Sequence, residues 1–201
     1  MTSYSDATQD LVVLKLFGEQ QGYYVDIGCS DGISRSNTYL LEQNGWNGIL
    51  IDKNHDDLDR AQHNRKASQN IIVNFDVTQP LLIEKALEQY SCPQIIDYIS
   101  LDVDECSLLC LQNFPLSRYR FKFLTFEHDI YAGRPDCIAR KVESPRLLES
   151  FGYTKIVDNV IVNNLPYEDW YADLSFFDSG RFSTLMSRSG WKYQDILDQI
   201  G

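Results

Sequence analysis

The amino-acid sequence predicts an α/β fold, a doubly wound and mostly parallel sheet of seven strands with helices on both faces and an antiparallel strand near the C-terminus. Three observations predict it. Short apolar runs alternate with longer amphipathic stretches along the chain. The runs are near-continuously apolar rather than alternating, as strands covered on both faces require. No repeat, low-complexity tract or Pro/Gly/Ser linker divides the 201 residues, a length that suits a single domain with a core of its own.

A helical lead-in is expected over residues 1–20, and a core over 22–174. The expected strands are Tyr23–Ile27, Gly48–Ile51, Ile71–Phe75, Tyr98–Asp102 and Phe123–Glu127. Between and after them, helices are expected at Ser36–Asn44, Asp56–Ala67, Leu81–Glu88, Ser107–Phe114 and Ser144–Phe151, the last capped by Gly152. Beyond Gly152, Tyr153–Val157 and Val160–Val162 read as a hairpin turning at Asp158-Asn159, while an alternative places the last strand at Tyr167–Tyr171. Residues 175–201 read as a C-terminal extension of the same domain.

A formal charge of −11 gives the chain a field that repels phosphate backbones and anionic lipid, so neither nucleic acid nor membrane is expected as a partner. No basic-then-apolar leader and no run of about 18 apolar residues is present. A cytoplasmic protein is expected. The five cysteines include no C-x-x-C pair, and they read as reduced thiols, with Cys106 and Cys110 as small apolar packing.

The first expected strand runs into Val25-Asp26-Ile27-Gly28-Cys29-Ser30-Asp31-Gly32, a strand, a glycine-bearing turn and the approach to a helix. Gly28 suits a sharp turn and Gly32 a close approach to a ligand. The spacing is not G-x-G-x-x-G, and an acidic turn is a poor neighbour for a pyrophosphate. A cofactor carrying an ammonium and a sulfonium, S-adenosylmethionine, matches Asp26 and Asp31 better. Asp52, twenty residues after Gly32, stands where an acidic residue meets ribose hydroxyls, and Asp76 stands at the next strand end, where it can accept from an adenine amino group.

A second acidic group gathers at the ends of strands four and five: Asp102, Asp104, Glu105, Glu127 and Asp129, with His128 among them. Such crowding requires a shared proton, a cation or a basic partner. Two schemes follow. Asp102, Glu127 and Asp129 could hold Mg²⁺ or Mn²⁺ that acidifies a substrate hydroxyl. Alternatively, His128 is the general base, tuned by Glu127 or Asp129. Tyr131, Tyr167, Trp170 and Tyr171 are candidate pocket walls, and His55 and His63 read as surface residues.

From about Gly22 to Leu174 the chain resembles the FkbM-type methyltransferases. The residues that carry this are Tyr24-Val25-Asp26-Ile27-Gly28 with Asp31-Gly32, Ser36-Asn37-Thr38 with Leu41-Glu42, Gly45-Trp46-Asn47-Gly48-Ile49, Asp97 to Asp104, Phe126-Glu127-His128-Asp129 with Tyr131, and Tyr167-Glu168-Asp169-Trp170. The resemblance implies a Rossmann-like methyltransferase sheet, S-adenosylmethionine as methyl donor, and a hydroxyl acceptor on a small metabolite or glycan. With the reading of the residues above, the expected cofactor contacts are Asp26, Gly28, Ser30, Asp31, Gly32, Asn37, Asp52, Asp76 and Asp102, with Asp102, Glu127 and His128 as the catalytic candidates. The sequence departs from the commoner Asp-Val-Glu-Gly-x-Glu pattern after strand four, reading Asp102-Val103-Asp104-Glu105-Cys106-Ser107. The expected function is therefore O-methylation. The alternatives are a methyltransferase-like module that binds the cofactor without turnover and, more weakly, a nucleotide- or NAD-binding protein.

Overall fold

The structure, a computed structural model, describes residues 1–66 and 69–200. The strands are β1 (Tyr23–Ile27), β2 (Asn47–Asp52), β3 (Ile71–Asn74), β4 (Ile95–Leu101), β5 (Arg120–Glu127), β6 (Thr154–Val162), β7 (Leu165–Ala172) and β8 (Ser189–Lys192). They form one sheet in the order β3-β2-β1-β4-β5-β7-β6-β8. Strands β1 to β5 run parallel, and β7 lies antiparallel between β5 and β6. This reversal of strand order beside β1 opens a crevice at the carboxyl edge between β1, β2 and β4.

Side chains alternate across each strand, so the sheet has two apolar faces. On one face Tyr24, Leu50, Tyr98, Phe123 and Trp170 pack under the helices α1 (Gln9–Phe17), α2 (Tyr39–Gln43) and α3 (His55–Asn64). On the other, Val25, Ile27, Ile49, Ile99 and Leu124 pack under α4 (Leu82–Gln89), α5 (Ser107–Asn113) and α6 (Pro135–Ser150). Helix α3 is started by Asn54, whose side chain accepts from the Asp56 amide at 3.0 Å. The expected end of that helix at Ala67 lies outside the described residues.

Three sequence expectations change. The sheet has eight strands rather than seven, because residues 175–201 are more than an extension. They supply α7 (Ser183–Met186), β8 and α8 (Tyr193–Gln199), with β8 parallel to β6 and Trp191 packed into the core. The hairpin does not turn at Asp158-Asn159. Those residues sit in a bulged stretch of β6, and the turn falls at Asn163-Asn164, where both residues have positive φ (51° and 65°) as a tight two-residue turn requires. The alternative strand at Tyr167–Tyr171 is thus part of β7. Helix α6 begins at Pro135 and runs through Pro145, well before the expected Ser144. Its first half is anchored by Arg140, which is 1% exposed and donates to the carbonyls of His128 and Asp104.

No helix among the described residues is long and apolar enough to cross a membrane.

Candidate active site

A cavity of about 560 Å³ opens at the carboxyl ends of β1, β2, β3 and β4. The first of its walls is the turn after β1. Gly28 has φ +93°, and a Cβ there would lie 1.6 Å from the Asp102 carbonyl oxygen. Only glycine fits, because the turn is clamped between neighbouring strand ends. The Gly28 amide donates to the Ile51 carbonyl at 2.9 Å, and the Asp102 amide donates to the Ile27 carbonyl at 3.0 Å.

Asp26, at the base of the cavity, is buried and accepts from Thr38 Oγ1 at 2.6 Å. Burial raises its pKa, against the pull of Thr38 and Arg65. Arg65 is itself 2% exposed. Its guanidinium donates to the Gly32 carbonyl, Ser36 Oγ, Thr38 Oγ1, the Tyr24 hydroxyl and Glu42. Sequence reasoning missed this side chain, which lies in a polar stretch of α3's end and ties the loop over Asp26 into place. Asn37 lines the cavity, donates to Ser100 Oγ at 2.9 Å, and leaves its Oδ1 buried without a partner.

Asp52 accepts from the amides of Ser30 at 3.0 Å and Asn54 at 2.9 Å. Asp76 accepts from the Thr78 hydroxyl and amide, and the hydroxyl bond holds its pKa below the usual carboxylate range. Both line the cavity, as do Ser30 and Asp102. The structure therefore brings Asp26, Gly28, Ser30, Asn37, Asp52, Asp76 and Asp102 together.

It does not bring Asp31 or Gly32 into that set. Asp31 is turned into its own loop, accepting from the Ile33 and Ser34 amides and the Ser34 hydroxyl. Gly32, with φ +79°, packs against Ala61 and Arg65 instead of approaching a ligand. Both shape the loop from behind.

At the far end the acids crowd. Burial, followed by the neighbouring Asp102 carboxyl, pushes Glu127 up to about 12, and burial raises Asp102 as well. Two carboxyls buried side by side favour a shared proton over two like charges. Tyr167 packs beside them, and burial raises its phenol further still.

His128 is not at this edge of the cavity. Its ring is fully buried, with Nδ1 accepting from the Ile130 amide at 3.1 Å and Nε2 facing Asp169 Oδ1 at 3.4 Å. Buried behind the sheet edge, with Nε2 making no hydrogen bond, the ring does not line the cavity where the sequence placed a base. The expected cation triad does not assemble either. Asp129 is paired with Arg140 at 3.4 Å, and among the described residues no group of three His, Cys, Asp or Glu side chains is arranged to hold a metal ion. Of the expected aromatic walls, Trp170 and Tyr171 are core residues at 0% exposure. His55 and His63 are exposed, as expected.

The strand order with its single reversed strand and the cavity at the switch point decide the architecture. The chain has the class I methyltransferase fold. It superposes on an O-methyltransferase from Bacillus cereus in complex with SAH at TM-score 0.60, with 12% identity over 85% of this chain and 80% of that one. It superposes on cofactor-bound Rv0187 from MTB at TM-score 0.63, with 13% identity over 85% and 81% of the two chains. The methyltransferase domain of bacterial CtHen1-C aligns at TM-score 0.51, with 13% identity over 83% and 97%. No protein-family model and no curated protein matches the sequence.

Proposed function

We propose that the protein is an S-adenosylmethionine-dependent O-methyltransferase of the FkbM type, acting on a hydroxyl of a small metabolite or glycan. The observation that supports it best is the gathering of Asp26, Asn37, Asp52, Asp76 and Asp102 around one cavity at the switch point of this sheet. The residues fit the cofactor. The unpartnered Asn37 Oδ1 needs a donor, which an ammonium supplies, and Asp52 at the β2 end offers acceptors to ribose hydroxyls. The acid-rich lining suits a cationic donor and disfavours a dinucleotide pyrophosphate.

The bound cofactor would supply a methyl group on sulfonium sulfur. The chain's own part is to orient, to keep water out and to take a proton. Of Asp102 and Glu127, Asp102 is the one that lines the cavity, and its raised pKa makes it a stronger base towards an acceptor hydroxyl.

Calorimetric titration of the purified protein with S-adenosylhomocysteine and, separately, NAD tests the cofactor reading. Tight binding of the first alone is expected, whereas preferential NAD binding would overturn it. S-adenosylhomocysteine release from S-adenosylmethionine over a pool of hydroxylated metabolites tests turnover. Asp102→Asn is expected to lower that release by roughly 10²–10⁴-fold while the fold, read by circular dichroism, is unchanged.

A further inference from the structure

The cavity is lined by seven carboxylates and only two cationic side chains, Arg35 and Lys53. A ligand that brings its own carboxylate into such a field needs a cation to meet it. Lys53 stands at the β2–β3 end, where its charge acts on Asp76. Arg35 stands at the other. Its Nε lies 3.9 Å from Asp6 Oδ2, and Asp6 acts electrostatically on Asp102 at the end of β4. Two residues on, Asn37 bonds Ser100 of β4.

Two further features mark Arg35 out. Its backbone has φ +55°, a left-handed conformation uncommon for a long side chain and frequent where a ligand is clamped. Its side chain is 81% exposed and that of Asp6 is 42% exposed, so the pair between them is weak and readily exchanged. Asp6 is nevertheless held in place. Asp10 ties down the segment before and around it by accepting from Ser3 Oγ, the Tyr4 amide and Ser5 Oγ, and Tyr4 packs edge-on against Tyr39 with ring centroids 4.8 Å apart.

We propose that Arg35 is the carboxylate clamp for the amino-acid end of the cofactor, and that Asp6 of the N-terminal segment is the carboxylate this ligand displaces from it. The inference rests on the cofactor reading above. A guanidinium is suited to the role, since its planar fork engages both oxygens of a carboxylate.

The test compares two ligands that share the adenosine and differ in the amino-acid end: S-adenosylhomocysteine and 5′-methylthioadenosine, each titrated by calorimetry into the 201-residue protein. Arg35→Gln is expected to weaken S-adenosylhomocysteine by about ten- to a hundredfold, the range of a lost charge-assisted bond, and to leave methylthioadenosine within about twofold. Arg35→Lys is expected to recover part of the loss. Asp6→Asn is expected to tighten S-adenosylhomocysteine alone, by a few-fold at low salt. Equal loss for both ligands, or no loss for either, overturns the clamp while leaving the cofactor site standing. Wild-type protein that binds neither ligand removes the cofactor reading, and the clamp with it.

Discussion

At the β2–β3 end of the cavity, Asp52 and Asp76 turn their oxygens to backbone amides and hydroxyls close to solvent. At the β4–β5 end, Glu127, Asp129 and Glu168 are buried beside half-buried Asp102 and Tyr167, and burial raises Glu127 and Glu168 well above the ordinary range. The carboxyl pKa is thus lowered at Asp76 and raised at Glu127 and Glu168. Burial makes the difference. A carboxylate near amides keeps its charge cheaply, whereas one in a dry cluster must take a proton or a partner. One end is suited to gripping a cationic nucleoside donor and the other to exchanging a proton with an acceptor.

The comparison can be broken most severely at the point where the two ends meet. Gly28→Ala would set a Cβ against the Asp102 carbonyl at a backbone conformation that alanine resists, and a loss of more than about 4 kcal/mol in denaturant unfolding is expected. A loss below about 1 kcal/mol would show that the strand ends are not clamped together.

The buried end is sharpened by Glu168, whose oxygen accepts from Gln9 Nε2 at 2.9 Å and Trp170 Nε1 at 2.6 Å. Burial raises it from 4.5 to about 8, so the folded state binds a proton that the unfolded state releases. That contribution to stability is fully present below the unfolded value and is lost as pH rises towards 8. Between those limits it falls by about 1.4 kcal/mol per pH unit. Glu168→Gln keeps both hydrogen bonds, so the difference in unfolding free energy between variant and wild type should grow in the variant's favour from pH 5 to pH 8. A pH-independent difference would mean that Glu168 ionises normally.

At the exposed end the effects are smaller and fall on ligand binding. Asp52→Ala is expected to weaken S-adenosylhomocysteine by about 1–3 kcal/mol, and an unchanged dissociation constant would remove Asp52 from the site. Asp76→Asn keeps an acceptor for Thr78 and should change the same constant by less than about threefold. A larger effect would show that the charge of Asp76, and not only its oxygen, meets the ligand.

Much of this was legible in the chain. The apolar runs located β1 to β5 within a few residues, since strands covered on both faces carry few polar positions. Asp26, Asp52, Asp76 and Asp102 were legible as strand-end acids because parallel strands deliver their carboxyl ends to one edge. What misled was local. Asp158-Asn159 carries a turn signature yet is a bulge, because β8 pairs alongside it, and Pro145 hid the first half of a helix that Arg140 anchors from within the core.

The sequence by itself determined the layering, the strand polarity and the set of acids at the carboxyl edge, because periodicity and spacing act over a few residues and survive any packing. Only the tertiary structure decided which acids are buried, that His128 faces Asp169 and not the cavity, and that Gly32 packs against Arg65. Those outcomes depend on burial and on partners 30 or more residues away, such as Arg65 beneath Gly32 and Asp169 beside His128, and no local pattern encodes them.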